Sequence, residues 1–371
     1  MSDLIITTVT VKDIKPHPNA DRLEICQVGG WTIVSGKGNY QVGDIVVHIP
    51  PDAMVPRTWA DTWGVTQYLS FKKEGDMGRV RAARLRQVTS FGFLVPNDSN
   101  APLGADLADH YGIRKYEPPP PPVGMQAGQM ARNHPLFHTY TDIQNLRNFP
   151  DKLAYGEPLV VTEKIHGTNS RVGWVRTPDS ENGGMSDYFE KVVGTHRTQR
   201  KIEDCGIYGL PFALYGEALN QLFDWALQIT KNHGLDNPLI LNSIIVFGEI
   251  YGAGVQDLHY GAKQEKGYRV FDIAINGEYM NAMAMEAICE IVGLPTVPTI
   301  SRGIVSYEDL LELAKGNTTM DDTHIREGIV VRPMVQEMIW GRGELDPQPK
   351  RMIFKLISED YLLRKEGTEY H

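Results

Sequence analysis

The sequence predicts an α+β protein of two parts: a small all-β barrel, then a larger domain in which strands of a mostly antiparallel core alternate with helices. Three observations carry this expectation. Short β-branched runs separated by Gly, Pro, Asn and Asp turns fill the first hundred residues, an unbroken run of prolines occupies 118–122, and beyond it strand-like and helix-like segments alternate.

The barrel strands are read at 4–14, 23–30, 31–36, 44–50, 79–87 and 90–96. Five or six short strands in about 100 residues suit a small closed barrel, which removes its own sheet edges. The prolines make neither helix nor ladder hydrogen bonds and predict a stiff polyproline spacer. The expected division is therefore a barrel at 1–117, a Pro-rich linker at 118–134 and a second domain at 135–371. In that domain strands are predicted at 159–165, 243–252, 268–275, 328–333 and 351–357. The segment 306–316 predicts a helix: Ser306 can cap it, Asp309 sits at the reciprocal capping position, its leucines recur at helical spacing and Gly316 can end it. Helices are also expected over 218–231 and 281–294. No internal repeat, Gly-x-Gly-x-x-Gly or Walker-type loop occurs, so any nucleotide must be held by side chains.

With 371 residues the chain can bury a large core without disulfides. Its three cysteines, Cys26, Cys205 and Cys289, are odd in number and widely spaced, which argues for reduced thiols and against a zinc knuckle or redox pair. No apolar run approaches the ~20 residues of a membrane span, and the N-terminus lacks a signal-peptide layout. A cytoplasmic protein with no membrane partner and no obligate protein partner is expected. The net charge of −9 argues against indiscriminate coating of nucleic acid. A local cluster runs against that balance: Lys72, Lys73, Arg79, Arg81, Arg84 and Arg86 face only Glu74 and Asp76. Alternation along 79–86 would put several of these cations on one strand face. That face is either a phosphate-tracking surface or a solvated edge strand whose charges deter aggregation.

Five segments of the second domain place charged residues at strand ends, where a core strand would not spend them: EKIHGTN (163–169), HRTQRK (196–201), FGEIYG (247–252), REGIVVRP (326–333) and FKLIS (354–358). These segments resemble motifs I, III, IIIa, IV and V of the covalent nucleotidyltransferase superfamily of ligases and capping enzymes, with Glu249 in motif III and YRVFDI (268–273) supplying the motif IIIa aromatic. The Lys-x-His-Gly-Thr-Asn form is similar to the phage nick-sealing and kinetoplastid-editing RNA ligases. The run 17–50, from His-Pro-Asn-Ala-Asp through a Gly-rich hairpin to Ile-Pro, resembles the opening of tRNA-binding-type OB folds. With that domain placed first, the whole chain most resembles the Deinococcus-type RNA ligases. The implied fold is an N-terminal OB-fold β-barrel followed by an ATP-grasp-like, covalent nucleotidyltransferase domain with antiparallel sheets.

The resemblance implies a chemistry for each position. Lys164 attacks the α-phosphate of ATP to form lysyl-AMP, AMP passes to a 5′-phosphate end, and a 3′-OH displaces it to seal RNA ends or nicks with an RNA 3′-OH strand. A lysine attacks phosphorus only when uncharged, which calls for cationic neighbours or a metal. Glu163 and Ile165 flank it and read adenine through the backbone; Asn169 binds the sugar or substrate end; Arg197 meets phosphates, with Arg200 and Lys201 either assisting or forming a solvated turn. Glu249 and Glu327 hold Mg²⁺ or Mn²⁺ through water, oxygen being the ligand such hard cations prefer. Phe271 either stacks on adenine or is a core phenylalanine, and His166 either serves the substrate or is a satisfied strand-end histidine. Lys355 meets the α-phosphate; many relatives carry a second lysine two residues earlier, but Ile353 stands there, leaving that charge absent or supplied by Lys350 or Arg351. Glu217 shares a Gly-Glu pair with Glu249 but leads into a helix. A DNA ligase, a capping-type enzyme, or an RNA-binding protein with an inactive ligase domain are the alternatives, which labelling by ATP or GTP would separate.

Overall fold

The computed structural model describes residues 3–72, 75–118, 128–153, 156–178, 185–232, 240–336, 338–339, 350–364 and 367–368. Lys73 and all of the proline run except Pro118 lie outside the described residues, so the expected spacer is not among them.

The first hundred residues fold as expected into a barrel. Strands Phe93–Pro96, Ile45–Ile49, Thr8–Pro16, Leu23–Val28 and Trp31–Gly36 pair antiparallel in that order. Along Leu23–Val28 every second side chain is buried, the period-2 signature of a strand with one face on a core. Val11, Cys26, Val28, Ile33 and Phe91 fill that core. The hairpin of Ala82–Leu85 and Val88–Phe91 lies against the Trp31–Gly36 strand, where Ser90 Oγ accepts from Val34 N at 3.0 Å.

One strand expectation is corrected. The segment 79–87 is not continuous: Met77–Arg79 ends one strand, Ala82–Leu85 begins another, and Arg86 and Gln87 turn with φ of 47° and 75°. The alternation that would have aligned its arginines on one face is thereby broken.

In the second domain two sheets face each other. One orders Gln144–Asn145, Phe354–Ile357, Gly328–Pro333, Leu159–Lys164 and Thr299–Gly303, antiparallel apart from its first pair. The other is built around Met185–Gly194, Thr168–Pro178, Ser243–Gly252 and Lys266–Ile275, all antiparallel. Phe137, Tyr140, Ile245, Phe247 and Ile353 pack between the sheets. Helices cover the outer faces: Leu210–Asn232 and Ala282–Val292 bury Leu219, Leu222, Met285 and Ile288 against one sheet, and Tyr307–Leu313 places Leu310 over the other. Ser306 caps the last as predicted, its Oγ accepting from Asp309 N at 3.1 Å.

The two parts share a core. Val28, Trp31 and Phe91 of the barrel cluster with Ile357, Tyr361 and Leu362 of the C-terminal segment. Trp31 Nε1 also donates to Asn148 Oδ1 at 2.9 Å. Among the described residues no helix is long and apolar enough to cross a membrane.

Candidate active site

The spacing of EKIHGTN spans the cleft between the sheets. Lys164 is the last residue of Leu159–Lys164 in one sheet, and Asn169 is the second of Thr168–Pro178 in the other. The turn that joins them must pass close to the opposite wall. A Cβ on Gly167 would stand 2.1 Å from Ile250 O and 3.0 Å from Glu249 Cγ, so only glycine fits there. Pairing then sets Asn169 directly opposite Glu249.

A cavity of about 780 Å³ opens between the sheets, and Glu163, Lys164, Ile165, His166, Asn169, Arg197, Glu249, Phe271 and Lys355 all line it. Glu327 stands at its wall, accepting from Lys164 Nζ at 2.7 Å. Glu327 is 1% exposed and the lysine side chain 17%. Burial, with the Glu327 charge beside it, pushes the Glu249 carboxyl up to about 8, against the opposing pull of Lys164 and a hydrogen bond from the Gly167 backbone. Two carboxyls thus converge on one lysine in a desolvated place. Cross-strand pairing brings Lys355 opposite Val330, itself opposite Thr162, so the second lysine projects from the same sheet face as the first.

Phe271 reaches the cavity through a β-bulge. Where Phe247 pairs with Asp272 and Gly248 with Val270, Phe271 is the extra residue, and it is directed inward beside Tyr140, ring to ring at 4.9 Å. Glu163 is 1% exposed; one carboxylate oxygen accepts from Thr319 N and Oγ1 at 2.8 and 2.7 Å, and the other is buried with no hydrogen-bond partner. Asn169 Oδ1 is likewise buried and unpartnered. His166 is buried: its backbone N donates to Tyr260 Oη, Nε2 lies 3.1 Å from Asp257 Oδ1, and Nδ1 lies 3.4 Å from Tyr361 Oη and 3.7 Å from Glu327 Oε2. A hydrogen bond from His166, with Arg364 nearby, holds the Asp257 carboxyl well below the usual range, against the effect of burial.

Other expected residues are placed elsewhere. Arg200 and Lys201 are tied to Gly128 O and Gln129 Oε1 and do not line the cavity. Glu217 is exposed on the helix Leu210–Asn232. Arg79, expected on a phosphate-tracking face, is 4% exposed: it pairs with Asp52, donates to Gly367 O at 2.7 Å and lies over the Tyr116 ring at 3.6 Å. Arg84 pairs with Glu359 and Asp360. Lys72, Arg81 and Arg86 retain exposure but share no strand face.

Arg351, expected as a stand-in for the missing lysine, is committed to Asp272, Tyr140 and Gln336. Arg332, which no reading of the sequence singled out, also lines the cavity. It follows Val330 by two residues on the same strand face, and continuing the Val330–Lys355 register sets it beside Ile353. Its Nη1 donates to the fully buried Asp272 at 2.9 Å.

Outside the cavity His259, Asp321 and His324 gather closely enough to suggest a metal centre. Both ring nitrogens of His324 are used, Nε2 accepting from Tyr260 N at 3.0 Å and Nδ1 lying 2.9 Å from Ile325 O. The cluster therefore pins the loop behind Tyr260.

The two-sheet fold, with a strand-end lysine facing paired carboxyls and an OB barrel ahead of it, defines a covalent nucleotidyltransferase of the ligase class. Residues 157–357 match the family model described as RNA ligase, and residues 5–97 match an OB-fold domain model. The chain belongs to the RNA ligase family. Among solved structures it is similar to RNA ligase of Naegleria gruberi. An apo mutant is 22% identical with a TM-score of 0.74 over 98% of this chain and 99% of that one. A mutant with AMP and Mn is 22% identical with a TM-score of 0.73 over 99% and 100%. A mutant with ATP and Mn is 22% identical with a TM-score of 0.72 over 98% and 99%. No curated protein sequence matches the chain.

Proposed function

We propose that the protein is an ATP-dependent RNA ligase that joins 3′-OH and 5′-phosphate ends through a lysyl-AMP intermediate on Lys164. The observation that carries this reading is the cavity itself, which collects the separated motif residues around a lysine held 2.7 Å from Glu327. Lys164 Nζ forms a bond to the α-phosphorus of ATP as the bond to pyrophosphate breaks. The 5′-phosphate oxygen of the nucleic acid then takes AMP from the lysine, and the 3′-OH displaces AMP to form the phosphodiester. Lys355 and Arg332 face the phosphates from one wall, and Phe271 offers its ring to the base. The unpartnered oxygens of Glu163 and Asn169 suit donors on the nucleotide's base and sugar.

The donor set also fits a divalent cation. Glu249 and Glu327 are hard oxygen ligands, and a cation between them would favour the charged form of the Glu249 carboxyl, which burial and then the Glu327 charge disfavour. Bound there through water, Mg²⁺ or Mn²⁺ would neutralise charge on the phosphates. The ATP, AMP and Mn complexes of the Naegleria enzymes support the same cofactors. The division at 1–117, 118–134 and 135–371, a nick with an RNA 3′-OH strand as substrate, and a cytoplasmic location belong to the same reading. Incubation with α-labelled ATP and Mn²⁺ tests it: wild type becomes labelled, Lys164→Ala does not, and labelling of the variant would overturn the assignment. Nicked duplexes differing only at the 3′-OH residue then test the strand preference.

A further inference from the structure

Asp257 belongs to none of the family motifs, yet its carboxylate meets the side chain of His166 on the cavity wall. It follows the motif III strand Ser243–Gly252 in a loop, lines the cavity and remains half-exposed. His166 Nε2 lies 3.1 Å from Asp257 Oδ1, while Arg364 donates to Oδ2. The imidazole is further fixed by Tyr361, whose ring meets it edge-on at 5.5 Å and whose hydroxyl faces Nδ1. Those contacts leave the ring one orientation. Its Nδ1 side then points at Glu327 Oε2, and the other oxygen of Glu327 holds Lys164.

We propose that Asp257 is a positioning residue for the ligase reaction, clamping the His166 ring so that Glu327 and Lys164 keep their aim, with Arg364 and Tyr361 completing the clamp from the C-terminal segment. The inference rests on the reading of Lys164 as the nucleophile. Its logic is that of an outer carboxylate orienting a working histidine: an acceptor at Nε2 fixes which face and which nitrogen the ring presents. His166 links the two, its Nε2 on Asp257 and its Nδ1 side on Glu327, so the effect of Asp257 passes through that ring. A structural role is separated by the half-exposed position, since removing a side chain there opens no core cavity.

The test is a double-mutant cycle on the full chain, reading single-turnover formation of labelled Lys164 from α-labelled ATP with Mn²⁺, and thermal unfolding in parallel. Asp257→Ala is expected to slow labelling about tenfold or more, the scale on which small misplacements of reacting groups act, with the melting curve unchanged. Asp257→Asn, which keeps an acceptor for Nε2, recovers most of the rate. In the His166→Ala background, Asp257→Ala adds no further loss. Full-rate labelling by Asp257→Ala, or a loss that multiplies with that of His166→Ala, overturns the proposal. If wild type itself fails to label, it is the proposed function that fails, and the clamp fails with it only as its dependent.

Discussion

Asp272 offers the sharpest quantitative test of how the cavity wall is built. Its carboxylate is fully buried, and one oxygen, Oδ2, accepts from Tyr140 Oη at 2.8 Å, Arg332 Nη1 at 2.9 Å and Arg351 Nη1 at 2.5 Å. Both guanidinium groups are themselves nearly buried, at 5% exposure each. Replacing Asp272 by Asn keeps the shape and removes the charge, leaving two desolvated cations side by side without their shared counter-ion. Breaking a buried pair by removing one partner costs about 3–5 kcal/mol, because the uncompensated charge remains where water cannot reach it. Urea unfolding followed by tryptophan fluorescence should register that loss. Replacing Arg351 by Met in the same chain should return part of it, since one of the two orphaned cations goes. ATP should protect the variant at least as well as wild type, because Arg332 lines the cavity and a phosphate can replace the lost counter-ion. A loss below about 1 kcal/mol, or no recovery on removing Arg351, would refute the claim that Asp272 holds these cations against their own desolvation.

Further outcomes follow from other parts of the molecule. Glu327→Gln removes the charge that holds Lys164 and a proposed ligand for the divalent cation, and should lower lysine labelling by about two orders of magnitude, measured by single-turnover gel assay. Arg332→Ala should depress labelling more than Arg351→Lys, if the former faces the phosphates and the latter only holds Asp272. In the barrel, burial lowers His48 from 6.5 to about 4 despite its bond to Phe91 O at 2.9 Å. The folded value lies below the unfolded one, so this contribution is complete above pH ~6.5 and is lost as pH falls toward 4, about 3 kcal/mol in all. His48→Gln, which keeps a donor for Phe91 O, should flatten the pH dependence of stability in that window relative to wild type; an unchanged slope would remove His48 from the account.

Much of this was legible in the chain. Each motif residue is a charge at the end of a β-branched run, and such a charge is costly unless a site uses it, so Lys164, Glu249, Glu327 and Lys355 announce themselves without a structure. The barrel was visible in short strand-like runs separated by Gly, Pro, Asn and Asp turns, and the helix at Tyr307–Leu313 in its serine cap. What misled was local pattern without partners. Alternation along 79–86 looked like a basic face, but the strand breaks between Arg79 and Ala82, and Arg79 turns inward to Asp52. That pairing depends on a residue 27 positions away, which alternation does not encode.

The sequence by itself therefore determined the candidates: a lysine, two carboxylates and a second lysine at strand ends, on a scaffold whose turns and strand-like runs specify antiparallel sheets and a barrel. Only the tertiary structure decided which cations meet the cavity and which are spent on the core. Arg332 and Arg351 are equivalent as letters in the chain, yet one lines the cavity and the other is enclosed by Tyr140, Gln336 and Asp272. The physical reason is register. Which side of a strand a side chain leaves is fixed by its own period, but what awaits it there is set by strands brought together from distant parts of the chain.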